Sequence, residues 1–366
     1  MTGGEPAVFV LGTGRCGSTM VSELLGRHPA ILSLSEFFVL FSDMSKNLAR
    51  LFPGRVVDAA YFWSLLSEPQ PFLRSSLRNG VVGSEFRYLH RPARRFEVDA
   101  EVPPILLVAL CLLSDDPEAL YDEVERFVTT LPPATTPVHF HRLIRWLRHR
   151  LGRGVSVERS GGSIAFARTF AEAFPQAKFV HVVRDGRAVA MSMRRQRNFR
   201  LVYVQAQLRR TLGHNPFEPS DPSELSDPSE SSAQDGLAAL SPEFRRLLPG
   251  NFSAEAFERL DIPPAFFGAF WSGQLAPGCA LLRELPADRV HTVRYEEILR
   301  RPAATLGELV RFIGVDPLDG NWLSAASAGV RPPGPPPWRD LPPAALEALV
   351  EATAPGFAAL GGRYEP

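Results

Sequence analysis

Residues whose types and spacing suit chemistry cluster first between Gly12 and Thr19, in the run G-T-G-R-C-G-S-T. Gly12, Gly14 and Gly17 let backbone amides close on an anion, and a helix starting at Ser18 directs its positive end to the same point. Gly12 and Gly17 are spaced as in a nucleotide-binding P-loop, but Ser18, followed by Thr19, stands where that pattern has lysine. The cation is instead Arg15, inside the loop, where it can reach the bridging oxygen of a single phosphate and whatever leaves from it. Such a loop favours a one-phosphate donor over ATP. Cys16 sits at the helix start, a position that lowers a thiol pKa. No partner base accompanies it, so it reads as part of the loop.

A second anion site is spelled by Arg184, at the end of the apolar run Lys178–Val183, and Ser192, eight residues later on the helix that follows. A guanidinium fork and a hydroxyl donor serve one dianion well. Glu36 closes another apolar run, Ile31–Ser35, which places it on the rim where the phosphate loop opens, since ligands of parallel sheets bind at strand C-termini.

These side chains need strands and helices to hold them. Val8–Leu11 reads as a buried strand and Ser18–Arg27 as a helix. Val155–Glu158 reads as a strand running into Arg159, Ile164–Phe174 as a helix, Lys178–Val183 as the clearest strand, and Asp185 as the N-cap of the next helix. A late strand, Arg289–Arg294, leads into Tyr295. This succession predicts a parallel sheet with right-handed crossovers. Phe37–Leu51 reads as one partly buried helix, Val81–Gly83 as a short strand, and residues 101–130 as helical. Residues 139–151 pattern as an amphipathic helix with Arg142, Arg145, Arg148 and Arg150 on its solvated face. Ala254–Leu285 is helical with a break at Pro263–Pro264, and a last helix pair brackets the proline-rich stretch 331–338. Residues 214–236, rich in Ser, Pro and acid, read as a mobile surface loop or lid.

The 40 basic and 40 acidic residues balance, so no global field argues for nucleic acid or a membrane surface. Cys16, Cys111 and Cys279 are too few and too scattered for a disulfide framework and fit a reduced compartment. The first residues lack a basic segment followed by an apolar one, and the most apolar run, Val102–Leu113, contains Pro103 and Pro104 and is too short to span a bilayer. A cytoplasmic protein is expected.

With these motifs assembled, G-T-G-R-C-G-S-T-M resembles the 5′-phosphosulfate loop of sulfotransferases that use 3′-phosphoadenosine 5′-phosphosulfate (PAPS). F-P-Q-A-K-F-V-H-V-V-R-D-G-R resembles in particular the tyrosylprotein sulfotransferases and their bacterial relatives. The resemblance covers the first 36 residues, 155–195 and 289–314. It implies a P-loop-type α/β fold, a central parallel sheet with helices on both faces, and one domain over residues 1–366. It also implies PAPS as co-substrate, 3′-phosphoadenosine 5′-phosphate (PAP) as product, and no metal. Gly14, Arg15, Cys16, Gly17, Ser18 and Thr19 would hold the 5′-phosphate, and Arg184 with Ser192 the 3′-phosphate. Glu36, 21 positions after Arg15, falls where the tyrosylprotein enzymes have their proposed base, and Arg159, 25 positions before Arg184, where they have an assisting lysine. Arginine there stabilises charge but cannot give up a proton. Tyr295 matches a family tyrosine near the nucleotide, and Arg331 with Trp338 is a partial echo of a late Arg…Trp loop whose Lys and Gly are prolines here. A further family arginine falls on Gln196.

The implied reaction is in-line transfer of a sulfuryl group to a hydroxyl. The leaving phosphate needs positive charge, and the hydroxyl needs its proton removed. Two other readings stay open at this point: a P-loop kinase or NTPase, and a PAP or PAPS sensor without turnover. Resemblance fades over 37–130 and 199–288, the segments expected to shape an acceptor pocket. Phe37, Phe38, Phe41, Phe62, Trp63, Phe266, Phe267 and Trp271 there point to a lipidic, aromatic or natural-product acceptor, or else to plain core.

Overall fold

The structure is a computed structural model, and it describes residues 7–78, 85–98, 101–217, 237–317, 321–332 and 334–362. The expected strand at Val81–Gly83 and most of the expected loop at 214–236 lie outside the described residues.

Among the described residues seven strands follow one another, β1 Val8–Leu11, β2 Ile31–Ser35, β3 Val56–Val57, β4 Ala134–Thr135, β5 Val155–Arg159, β6 Lys178–Val183 and β7 Val290–Arg294. Five form the central sheet in the order β2-β5-β1-β6-β7, and every pairing in it is parallel. β3 and β4 make a separate antiparallel ribbon. The loop-bearing strand β1 is thus central, with β5 on one side and β6 on the other.

Alternation along the strands builds two cores. Phe9 and Leu11 of β1, Leu32 and Leu34 of β2 and Phe179 of β6 face the larger one, while Val8, Val10, Ile31, Val180 and Val182 face the smaller. A period of two divides a strand between two faces in this way, and both faces must then be covered. Helix α1, Ser18–Gly26, covers the smaller core through Val21, Leu24 and Leu25, joined by Leu306, Leu309 and Val310. The larger core is closed by α2 Phe37–Phe41, α3 Pro71–Arg78, α4 Thr136–Arg150, α5 Ala167–Ala173, α6 Gly186–Arg194, α7 Arg197–Leu212, α8 Pro264–Glu284 and α9 Pro343–Ala359. The molecule is therefore α/β, with a parallel sheet between two helical layers.

Local expectations hold at the five strands of the central sheet and at the Asp185 cap, whose side chain accepts from the Arg187 amide at 2.8 Å, while the β3–β4 ribbon was not anticipated. The helix expected over Phe37–Leu51 is broken. After α2 the chain passes through Asp43, Met44 and Ser45, all at positive φ, before a short turn at Leu48–Leu51. Residues 101–130 also divide, into a π-helical stretch Leu106–Leu110, one turn at Cys111–Leu113, and a helix Pro117–Val128 capped by Asp116.

Candidate active site

The loop between β1 and α1 combines two conformations that its residue types foretell. Gly17 has φ 97, and a Cβ there would collide with the Tyr295 ring; a Cβ at Gly14 would collide with the ring of Phe199. Both glycines are required by the close approach of an aromatic ring. Arg15 also takes a left-handed backbone, φ 65, an uncommon state for a residue with a side chain.

Three guanidinia meet at this loop because β5, β1 and β6 are neighbours and all end at the same edge. Arg159 is the last residue of β5, Arg15 follows β1, and Arg184 follows β6. Arg184 donates from Nη1 to the Arg15 carbonyl at 3.1 Å and lies over the Tyr295 ring at 4.5 Å. Arg15 donates from Nε to Ser192 Oγ at 3.1 Å. The two expected phosphate sites are therefore contiguous, with Arg15, Arg184, Ser192 and Tyr295 joined in one chain of contacts. Among the described residues neither Arg15 nor Arg184 forms an ion pair with a carboxylate. Burial pushes the Arg15 guanidinium below its ordinary value; Glu85 opposes that, and Arg184 and Arg159 add to it.

Glu36 and Arg159 form an ion pair, consistent with the register that sets Ser35 beside Arg159. The Gly161 amide donates to Glu36 Oε2 at 3.0 Å, and the Glu36 amide donates to the Arg159 carbonyl at 2.6 Å. Glu36 itself has φ 54. A cavity of about 1240 Å³ opens in front of this pair. Gly14, Arg15, Ser18, Thr19, Glu36 and Arg159 line it, while Cys16, Gly17, Arg184, Ser192, Tyr295 and Arg331 do not.

Some expectations change here. The Cys16 thiol is buried in the smaller core, and burial pushes it up rather than down, so the helix start does not activate it. Cys16 can serve the loop through its backbone only. Phe37, Phe38, Phe41, Phe62, Phe267 and Trp271 are fully buried core, and neither Trp63 nor Phe266 lines the cavity. The apolar wall is made instead by residues such as Val39, Leu40, Phe72, Leu73, Phe86 and Leu113. Arg331 is exposed and does not line the cavity. Trp338 packs on the larger core beneath Arg187, at 4.0 Å. His28 is a buried structural group, edge-on to Trp322, and His181 is buried within β6.

Other site residues were not found by sequence reasoning. Glu85 faces the cavity, accepts from Asn198 Nδ2 at 2.9 Å and acts on Arg15. Phe199, Phe270 and Gln274 also line the wall, and Gln274 Oε1 and Arg159 Nε are buried without hydrogen-bond partners among the described residues. R-N-F-R and S-G-Q-L carry no spacing that would single these residues out. Glu158 carried a weak signal, a carboxylate inside the apolar alternation V-S-V-E.

Such an architecture, a parallel α/β sheet with an anion loop after its central strand and guanidinia gathered around it, is that of a P-loop-type group-transfer enzyme. The chain belongs to the sulfotransferase family: residues 6–216 match that family's sequence model, more than half of the chain. Among solved structures it is similar to the sulfotransferase domain from the Synechococcus PCC 7002 olefin synthase, at 17% identity and TM-score 0.46, covering 100% of this chain and 97% of that one. It is similar also to sulfotransferase STF9 from Mycobacterium avium, at 15% identity and TM-score 0.44, covering 99% and 77% of the two chains. A sulfotransferase from Alicyclobacillus acidocaldarius is 15% identical at TM-score 0.38, with 98% and 95% covered. No curated protein matches the sequence. Among the described residues no helix is long and apolar enough to cross a membrane, and no cluster of three or more His, Cys, Asp or Glu could hold a metal ion.

Proposed function

We propose that this sulfotransferase takes its sulfuryl group from PAPS and passes it to the hydroxyl of a small, largely apolar acceptor. The observation that carries the reading is the convergence of Arg15, Arg159 and Arg184 at the ends of three adjacent strands, two of them without a carboxylate partner among the described residues. Cations left unpaired beside a glycine loop fit a ligand that brings two phosphates of its own.

When bound, PAPS supplies a sulfuryl group activated by a phosphate leaving group. The amides of Gly14 to Thr19 and the Arg15 guanidinium bind the 5′-phosphate side, and Arg184 with Ser192 binds the 3′-phosphate. Arg159 stabilises charge at the transfer point, a role arginine fills without proton exchange. Glu36 accepts the proton of the acceptor hydroxyl, with Arg159 and the Gly161 amide orienting its carboxylate. The apolar wall from residues 39–113 excludes water and receives the acceptor body. Tyr295 supports Arg184 and packs against Gly17.

Calorimetric titration with PAP and with ATP, repeated on Arg184→Ala, tests the donor. Tight PAP binding that collapses in the variant, with weak ATP binding, is the expected result. Comparable ATP binding would reopen the kinase reading. Radiolabelled PAPS offered with a phenol, a long-chain primary alcohol and a sugar then tests the acceptor. Labelling of the sugar alone would overturn the apolar assignment, and tight PAP binding with no labelled product from any hydroxyl would favour a sensor.

A further inference from the structure

Directly behind the Glu36–Arg159 pair lies a carboxylate to which the proposed transfer gives no task. Glu158 is 3% exposed, in register with Phe9 of β1 on one side and Leu34 of β2 on the other. Its Oε1 accepts from Ser160 Oγ at 2.6 Å and from the Phe38 amide at 3.3 Å, while Oε2 has no partner among the described residues. Ser160 Oγ accepts in turn from the Val39 amide at 3.1 Å. A buried carboxyl with an unpartnered oxygen is costly, and an apolar side chain would fill the same space without that cost.

The bonds it makes are confined to one place. Glu36, Phe38 and Val39 open α2, and each is tied to the segment 158–161: Glu36 through the Arg159 carbonyl, the Gly161 amide and the Arg159 side chain, Phe38 through Glu158, and Val39 through Ser160. The turn they hold includes Glu36 at φ 54, a conformation that persists only where its surroundings impose it. Rotating that turn would swing the Glu36 carboxylate out of the cavity wall.

We propose that Glu158 is a positioning residue for the transfer reaction: with Ser160 it holds the left-handed turn that aims Glu36 and its Arg159 partner at the acceptor hydroxyl. The inference rests on the sulfotransfer reading of the site. Its protonation state belongs to the same device. Burial pushes the Glu158 carboxyl up to about 7; the hydrogen bonds from Ser160 and the Phe38 amide oppose the shift, Glu36 adds to it and Arg159 opposes it. Those two are the charged groups acting on it, since the flanking strands present Phe9 and Leu34 at this level. Ionisation of Glu158 sets a second negative charge behind the pair that receives the acceptor proton, and kcat is expected to rise as pH passes through that midpoint.

Steady-state kinetics with radiolabelled PAPS and 2-naphthol as acceptor, alongside PAP calorimetry, test this on the wild type, Glu158→Gln, Glu158→Leu and Ser160→Ala. Glu158→Leu is expected to lower kcat by roughly 30-fold or more, the scale of a small misplacement of a catalytic group, with the 2-naphthol KM and the PAP dissociation constant held within about threefold. Glu158→Gln keeps the accepting oxygen and should restore kcat at pH values below the Glu158 midpoint while losing the rise near pH 7. A Glu158→Leu variant with wild-type kcat, or one that loses PAP affinity and kcat together, overturns the proposal. Should Glu158→Leu fail to fold, Ser160→Ala decides: reduced kcat with intact PAP binding supports the device, and unchanged kcat overturns it. A wild-type protein that neither binds PAP nor labels an acceptor removes the transfer reading and this role with it. A wild type that turns over no faster than Glu158→Leu removes the positioning role alone.

Discussion

Glu36 carries the proposed proton transfer while held from two sides, by the Arg159 guanidinium and by the Gly161 amide. Replacing it with glutamine keeps the shape and removes the proton acceptor. Glu36→Gln should therefore lower kcat by about 10²- to 10⁴-fold with PAP affinity retained, as measured by single-turnover kinetics beside calorimetry. Unchanged kcat would show that another group, such as the wall carboxylates Glu23 and Glu85, takes the proton. Arg184→Ala removes a fork that has no protein carboxylate to satisfy among the described residues. It should weaken PAP by roughly 10- to 100-fold, the worth of one or two charge-assisted hydrogen bonds, without altering the melting temperature in chloride buffer free of PAP. Arg159 is different, because its guanidinium is buried and its loss would strand Glu36 beside the larger core.

At the scale of elements, the loop depends on Gly17 standing at φ 97 against the Tyr295 ring. Gly17→Ala should cost about 1–3 kcal/mol in urea unfolding and abolish measurable PAP binding, because backbone strain and the ring collision act at once. The five strands of the central sheet are legible from the sequence because their apolar runs are local and the glycine loop has its own spacing, whereas the two-residue strands β3 and β4 are too short to show a pattern. α2 was misjudged for a reason that is not local. Asp43 accepts from the Phe72 and Leu73 amides at 3.1 and 2.8 Å, capping α3 from 29 and 30 residues away. No window of neighbouring residues contains that information. The aromatic residues of the acceptor segments failed as a guide for a related reason. Composition marks a side chain as apolar, but only packing decides whether it becomes core, as Phe37 and Trp271 did, or wall, as Phe72 and Phe86 did.

For the molecule as a whole, two buried titratable groups oppose each other. Burial pushes His181 down to about 4, below an unfolded value of about 6.5. Between those values the unfolded chain binds the extra proton, so this contribution to stability rises with pH. Glu158 is pushed up to about 7, above an unfolded value near 4.3. Across that window the native state binds the extra proton, so its contribution falls as pH rises. From about pH 4.5 to 6.5 the two slopes oppose each other. Glu158→Gln should uncover the His181 slope, making the variant's urea stability rise with pH relative to wild type in that window. Parallel pH profiles for the two proteins would mean that Glu158 titrates normally. The gathering of Arg15, Arg159 and Arg184 has a further consequence, for how the protein is handled. An unfolded chain disperses these charges and the native sheet concentrates them, although the 40 basic and 40 acidic residues cancel overall. Any dianion in solution is thereby a folding ligand, and one present at a hundred times its dissociation constant adds about 2.7 kcal/mol. Phosphate or sulfate buffer should raise the melting temperature above that in chloride of equal ionic strength, and Arg184→Ala should erase most of the difference. The durability of this enzyme on the bench is then a property of the anions around it as much as of its fold.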